Sequence, residues 1–141
     1  MKNLRAEVER LLSKSISVHQ ITTVNREDSV ATDRVVVLNA ASYRIFVTWD
    51  RGQCVVDLEP ASTTLVDRYA VADVLEAIGI RSPPEPDTTK LSDTLEWTDA
   101  QLLRHHPQFC VLFSAWGAAE TRLLLDGAAD RRGRARLHQR D

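Results

Sequence analysis

The feature that most constrains this chain is the run from Tyr43 to Glu59, where two stretches of alternating side chains flank Asp50-Arg51-Gly52. A period of two places Tyr43, Ile45, Val47 and Trp49 on one face of a strand and Arg44, Phe46, Thr48 and Asp50 on the other. After the turn, Cys54, Val56 and Leu58 share a face, with Val55, Asp57 and Glu59 opposite. Gly52 supplies a residue that accepts positive φ, as a tight hairpin turn demands. Pro60 lacks an N–H and stops the second strand. A two-stranded hairpin is marginal alone, so further strands or helices must cover its apolar face.

The flanking segments supply them. Asn3 to Lys14 reads as an amphipathic helix with Leu4, Val8, Leu11 and Leu12 at helical spacing and Asn3 as its cap. Ser15 to Val24 reads as a first strand and Asp33 to Asn39, with Val35-Val36-Val37-Leu38, as a second. A helix is expected from Leu65 to Ile78, ended by Gly79. Ser82-Pro83-Pro84-Glu85-Pro86 is a loop. Lys90 to Trp97 reads as a loop or a short strand, and Thr98 to His106 as a helix capped by Thr98. Pro107 opens a further helix carrying Phe109, Leu112, Phe113 and Trp116, Gly117 bends or breaks it, and Ala118 to Ala129 is again helical. Strands that follow one another without helical crossovers make a mostly antiparallel sheet. The expected fold is therefore α+β, with about four strands and helices on one face. The domain spans residues 1–130, and 131–141 is a basic, flexible tail.

Charge patterning narrows the function. The 141 residues carry a net charge of −2, unevenly placed. Asp50 to Asp99 holds eleven acids against four bases, a net of −7, whereas Arg131 to Asp141 holds five Arg and one Asp, a net of +4. An acidic surface steers encounter with a basic partner. No apolar run is long enough for a bilayer span, and the N-terminus lacks a secretion-signal core, so a cytoplasmic protein with no membrane contact is expected. Cys54 and Cys110 read as reduced core thiols. His105-His106 point about 100° apart on a helix and read as dipole partners at its C-terminus, so no metal site is expected. No phosphate-cradling or dinucleotide glycine motif and no Gly-x-Ser-x-Gly elbow occurs, so no cofactor and no catalytic residues are assigned. The tail lacks aromatics for stacking on bases, and nucleic acid is not expected as a partner.

The stretch Phe46-Val47-Thr48-Trp49-Asp50-Arg51-Gly52-Gln53-Cys54-Val55-Val56-Asp57-Leu58-Glu59-Pro60, with the helix after it, resembles small bacterial immunity proteins of polymorphic-toxin systems. The resemblance runs from Tyr43 to Leu125. It implies a non-enzymatic protein that binds and blocks a cognate toxin. Joined to the acidic middle, it implies occlusion of a basic cleft. The expected contact residues are Asp50, Asp57, Glu59, Asp73, Glu76, Glu96, Trp97 and Asp99, on a monomer or weak dimer. The rival expectations are a dimeric secretion-chaperone-like or adaptor protein that binds an exported partner, and a small enzyme whose pocket periodicity cannot reveal.

Overall fold

A computed structural model describes residues 3–24, 34–61, 68–81, 84–114 and 119–139, with side chains in the last helix described for 121–132. Five strands, β1 (Thr22–Thr23), β2 (Val35–Asn39), β3 (Tyr43–Asp50), β4 (Gln53–Pro60) and β5 (Tyr69–Ala70), form one antiparallel meander in chain order. Helices α1 (Leu4–Leu11) and α2 (Ser13–Val18) precede it, and α3 (Val71–Ala77), α4 (Leu91–Ser114) and α5 (Ala119–Gln139) follow. The α+β class with an antiparallel sheet is as expected, with one strand more.

The hairpin is built as its alternation dictates. β3 and β4 pair over their full lengths, from Tyr43 opposite Pro60 to Asp50 opposite Gln53. Arg51 and Gly52 both take positive φ, 52° and 74°, the turn whose twist matches that of its strands. Val36, Leu38, Tyr43, Ile45, Val47, Cys54, Val56 and Leu58 lie on one sheet face and merge with Leu4, Val8, Leu12, Leu95, Leu102, Phe109 and Phe113 in one core. The other face carries Arg44, Phe46, Asp57 and Glu59, with the Arg68 guanidinium 3.8 Å above the Phe46 ring.

Three local expectations give way to tertiary packing. Ser15 to Val24 is not a strand: Ser13–Val18 is helical, and only Thr22–Thr23 pair with β2. Ile16 continues the four-residue spacing of Leu4, Val8 and Leu12 against the core, whereas Val18 is 65% exposed, so the apparent alternation buries nothing. The helix expected from Leu65 starts at Val71, because Tyr69 and Ala70 extend the sheet opposite Leu58 and Asp57; residues 62–67 lie outside the described residues. Its end is as expected: Gly79 has φ 81°, its N–H reaches the Glu76 carbonyl at 3.0 Å, and the Ile80 N–H reaches that of Leu75 at 2.9 Å.

The third correction concerns the region from Lys90. It is neither loop nor strand there, and Pro107 does not open a helix. One helix of 24 residues spans both sides of the proline. The Thr98 hydroxyl donates to the Thr94 carbonyl at 2.8 Å, a mid-helix bond rather than a cap. Pro107 is exposed, while Leu102, His105, Phe109, Leu112 and Phe113 are buried on both sides of it. That burial offsets the roughly 3 kcal/mol an interior proline costs. His105 and His106 therefore stand in the middle of α4, not at a C-terminus. α5 passes residue 130 without a break and ends at Gln139. The expected bend at Gly117 lies outside the described residues.

Gly52 has open space around the position of a Cβ, so its substitution tests the backbone alone. Gly52→Ala is expected to destabilise the fold by about 1–2 kcal/mol. Arg51→Asn is expected to stabilise it, since Asn tolerates the left-handed region better than Arg. Urea unfolding of both variants checks the pair.

Candidate functional site

The site grows from a mismatch of strand lengths. β4 has eight residues, but β5 pairs only with Asp57 and Leu58. Gln53 to Val56 have no strand on the side away from β3 among the described residues. The Cys54 N–H instead donates to the Thr88 carbonyl at 2.8 Å. The loop carrying Thr88 is held by Asp87, whose carboxylate accepts from the Thr89 N–H at 3.0 Å and from its hydroxyl at 2.7 Å. These bonds hold the Asp87 carboxyl below the usual range, so it is ionised at neutral pH.

Between the open half of β4, this loop and the first turns of α4 lies a cleft of about 320 Å³. Val56, Val71 and Pro86 give it apolar walls, and Thr94, Trp97 and Thr98 give it a hydrogen-bonding side. The indole Nε1 of Trp97 is buried and has no hydrogen-bond partner among the described residues. Burial pushes the Cys54 thiol up to about 11, so it lines the cleft as a neutral group. Glu85 is the acid in the lining of the cleft and pairs with Arg132 at 2.5 Å. Asp50, in register with the lining residue Gln53, and Asp87 and Asp93, next in sequence to lining residues, are exposed.

The expected contact residues divide here. Trp97 lines this cleft, Asp50 is in register with its lining residue Gln53, and Glu96 lies on the side of α4 away from Thr94 and Thr98. Asp57 and Glu59 lie on the opposite sheet face from Cys54 and Val56. Glu59 is buried between Arg44 at 2.5 Å and Arg68 at 3.4 Å. Burial holds the Asp57 carboxyl above its ordinary range; Arg68 opposes this and Asp73 adds to it. Asp73, 6% exposed, meets Arg132 at 2.6 Å, and Glu76 meets Arg131 at 2.6 Å. Asp99 is buried and accepts from the Ser15 N–H at 3.0 Å, fastening α2 to α4. The acidic middle and the basic C-terminal segment, read separately in the sequence, thus meet in the fold.

A second cluster was missed. Tyr43 Oη lies 2.8 Å from His106 Nδ1, and His106 Nε2 lies 3.4 Å from Cys110 Sγ. The His19 ring stacks on His106 with centroids 4.0 Å apart. The available signal was the spacing of four between His106 and Cys110, which shares one helix face once α4 is continuous. No group of His, Cys, Asp and Glu among the described residues has a metal-binding arrangement. No described helix is long and apolar enough to cross a membrane.

Comparison of the chain with protein-family models, with curated proteins and with solved structures finds no match.

Two stability tests follow from these contacts. Arg132→Ala strands the buried Asp73 carboxylate and is expected to cost about 3 kcal/mol, whereas Arg131→Ala removes an exposed pair and costs less than about 1 kcal/mol. Calorimetry or urea titration separates them. Burial and the neighbouring His19 lower the His106 pKa, and burial with Arg104 lowers that of His105. A lowered folded value means the unfolded chain binds more protons, so stability rises with pH through this window. The urea midpoint is expected to be higher at about pH 8 than at about pH 5, and His106→Gln is expected to flatten the difference.

Proposed function

We propose that this protein is an immunity protein that binds a cognate bacterial toxin in the cytoplasm and occludes its basic active-site cleft. The observation that carries the reading is the cleft at the open half of β4, with Trp97 in its wall and the exposed acids Asp87 and Asp93 next in sequence to its lining residues. A Lys or Arg side chain of a partner finds carboxylates at the rim and an indole face inside. Trp is also the residue type most enriched where interfaces concentrate their energy. The resemblance of the hairpin region to immunity proteins points the same way. The contact surface on this reading is Asp50, Asp93, Glu96 and Trp97, while Glu59, Asp73, Glu76 and Asp99 hold the scaffold.

Apolar exposure favours a second reading, a secretion-chaperone-like or adaptor protein. Ala77, Ile78, Pro107, Val111, Leu112 and Leu124 line a groove of about 430 Å³. Val111 is 71% exposed, Leu124 50% and the adjacent Leu123 71%. Such a patch marks a surface that meets another chain. Sedimentation equilibrium separates the readings: a tight dimer supports the chaperone and a monomer the immunity protein.

The direct test is growth rescue. Co-expression with the toxin domain encoded beside this chain's gene is expected to restore growth of a susceptible host. Asp93→Lys combined with Glu96→Lys, both at exposed sites, is expected to abolish rescue and weaken binding by about tenfold or more, with unfolding unchanged. Rescue that survives this double reversal and Trp97→Ala would remove the cleft from the mechanism.

A further inference from the structure

The outward side of α4 and α5 carries apolar surface that the core does not use. Of the five large apolar side chains exposed among the described residues, three stand on these two helices: Val111, Leu123 and Leu124. Val111 and Leu124 line the groove of about 430 Å³ that Ala77, Ile78 and Pro107 share with them. Leu123 does not line it. Thr121, Leu125 and Ala128 turn α5 toward the core, so Leu123 stands on the far side of that helix, next to the groove wall. One molecule therefore presents an apolar knob beside an apolar hollow. Charged groups sit at matched positions around them. Arg104 lies seven residues before Val111 on the same side of α4, and Asp130 lies seven residues after Leu123 on the same side of α5. Seven residues make nearly two full turns and advance a helix about 10.5 Å, so the two spacings are equal. Arg104 and Asp130 are exposed, and neither has an ion-pair partner among the described residues.

We propose that this face pairs two copies of the chain in a weak two-fold dimer, with Leu123 of each copy against Val111 at the groove of the other and Asp130 opposite Arg104. α5 of one copy runs antiparallel to α4 of the other. Leu123 and Asp130 then meet Val111 and Arg104 in the same step, because both pairs are seven residues apart. A two-fold axis makes each contact twice, as an isologous interface requires. Knob, hollow, cation and anion all belong to one face, so a second copy supplies every complement and no other chain is needed. Burying Val111, Leu123 and Leu124 drives the pairing, and the two charge pairs at the edge fix its register. The face is smaller than the roughly 20–30 residues a side of a standard interface, so the dimer is weak. It is not the tight dimer of a secretion chaperone. It is also independent of toxin occlusion, since Trp97 in the cleft lies about 20 Å along α4 from Val111.

Sedimentation equilibrium of the full chain from about 5 to about 500 μM reads the pairing, and a monomer–dimer equilibrium with a Kd of roughly 10–200 μM is expected. Leu123→Asp and Val111→Asp each place an unpaired charge in the contact and are expected to weaken it by about tenfold or more. Both positions are exposed in the single chain, so the urea midpoint is expected to stay near that of wild type. Charge reversal gives a signature that a folding defect cannot imitate. Arg104→Asp sets acid against acid at both contacts, and Asp130→Arg sets base against base. Each variant alone is expected to pair about fivefold or more weakly than wild type. An equimolar mixture of the two restores opposite charges at both contacts of the mixed dimer, so it is expected to associate nearly as tightly as wild type. A chain that stays monomeric through the whole range would overturn the proposal and leave the groove to a different partner. Pairing that survives Leu123→Asp and Val111→Asp, or a mixture no tighter than its components, would overturn it as well.

Discussion

The middle strand and the long helix are joined by one side chain. Tyr43 lies at 0% exposure, with its ring 5.9 Å from Phe109 and 5.7 Å from Phe113 and its hydroxyl on His106. Those three partners come from positions on α4 that only an unbroken helix brings into one line. Aromatic packing of this kind adds roughly 0.5–1.5 kcal/mol per pair beyond area burial. It also explains why α4 tolerates Pro107 between two of the residues that hold Tyr43. The helix runs on through Pro107 because of what it packs on, and local propensity yields to tertiary contact.

The charges obey the same logic at longer range. A net of −7 over one segment and +4 over another would leave a strongly polarised molecule if the two stayed apart. α5 instead lays Arg131 and Arg132 against Glu76, Asp73 and Glu85, at 2.6, 2.6 and 2.5 Å. Among these acids only Asp73 is buried, so its pair with Arg132 anchors α5 to α3 while the others follow. Asp50, Asp87, Asp93 and Glu96 remain exposed. The acidity available to a partner is therefore local, and its position is set by which acids the chain uses on itself.

What was legible in the sequence was what neighbours decide. The β3–β4 hairpin followed from period two and a turn glycine, and the end of α3 from Gly79, because both depend on residues a few positions apart. The helical state of residues 15–18 was not legible, because Ser15 donates its N–H to Asp99 across 84 positions. β5 was not legible either, since two residues carry no periodicity and gain their strand geometry only from Leu58 and Asp57. The site divided in the same way. Trp97 was picked for its composition, yet what makes it part of a site is the missing partner of Gln53 to Val56. His106 and Cys110 showed their spacing of four but not Tyr43, 63 positions away.

The cleft arises where one element outruns its partner. β4 extends four residues past the ladder that β5 gives it, and the fold closes that gap with a loop carbonyl and a cleft rather than with a strand. An open strand edge is normally a hazard for association, and a cleft with carboxylates at its rim admits basic chemistry while rejecting a second acidic edge. At the other end of the hairpin, Tyr43 begins β3 with its hydroxyl on His106 in the middle of α4. The continuity of α4 through Pro107 sets the register in which His106, Phe109 and Phe113 meet Tyr43, and the core is held by that packing.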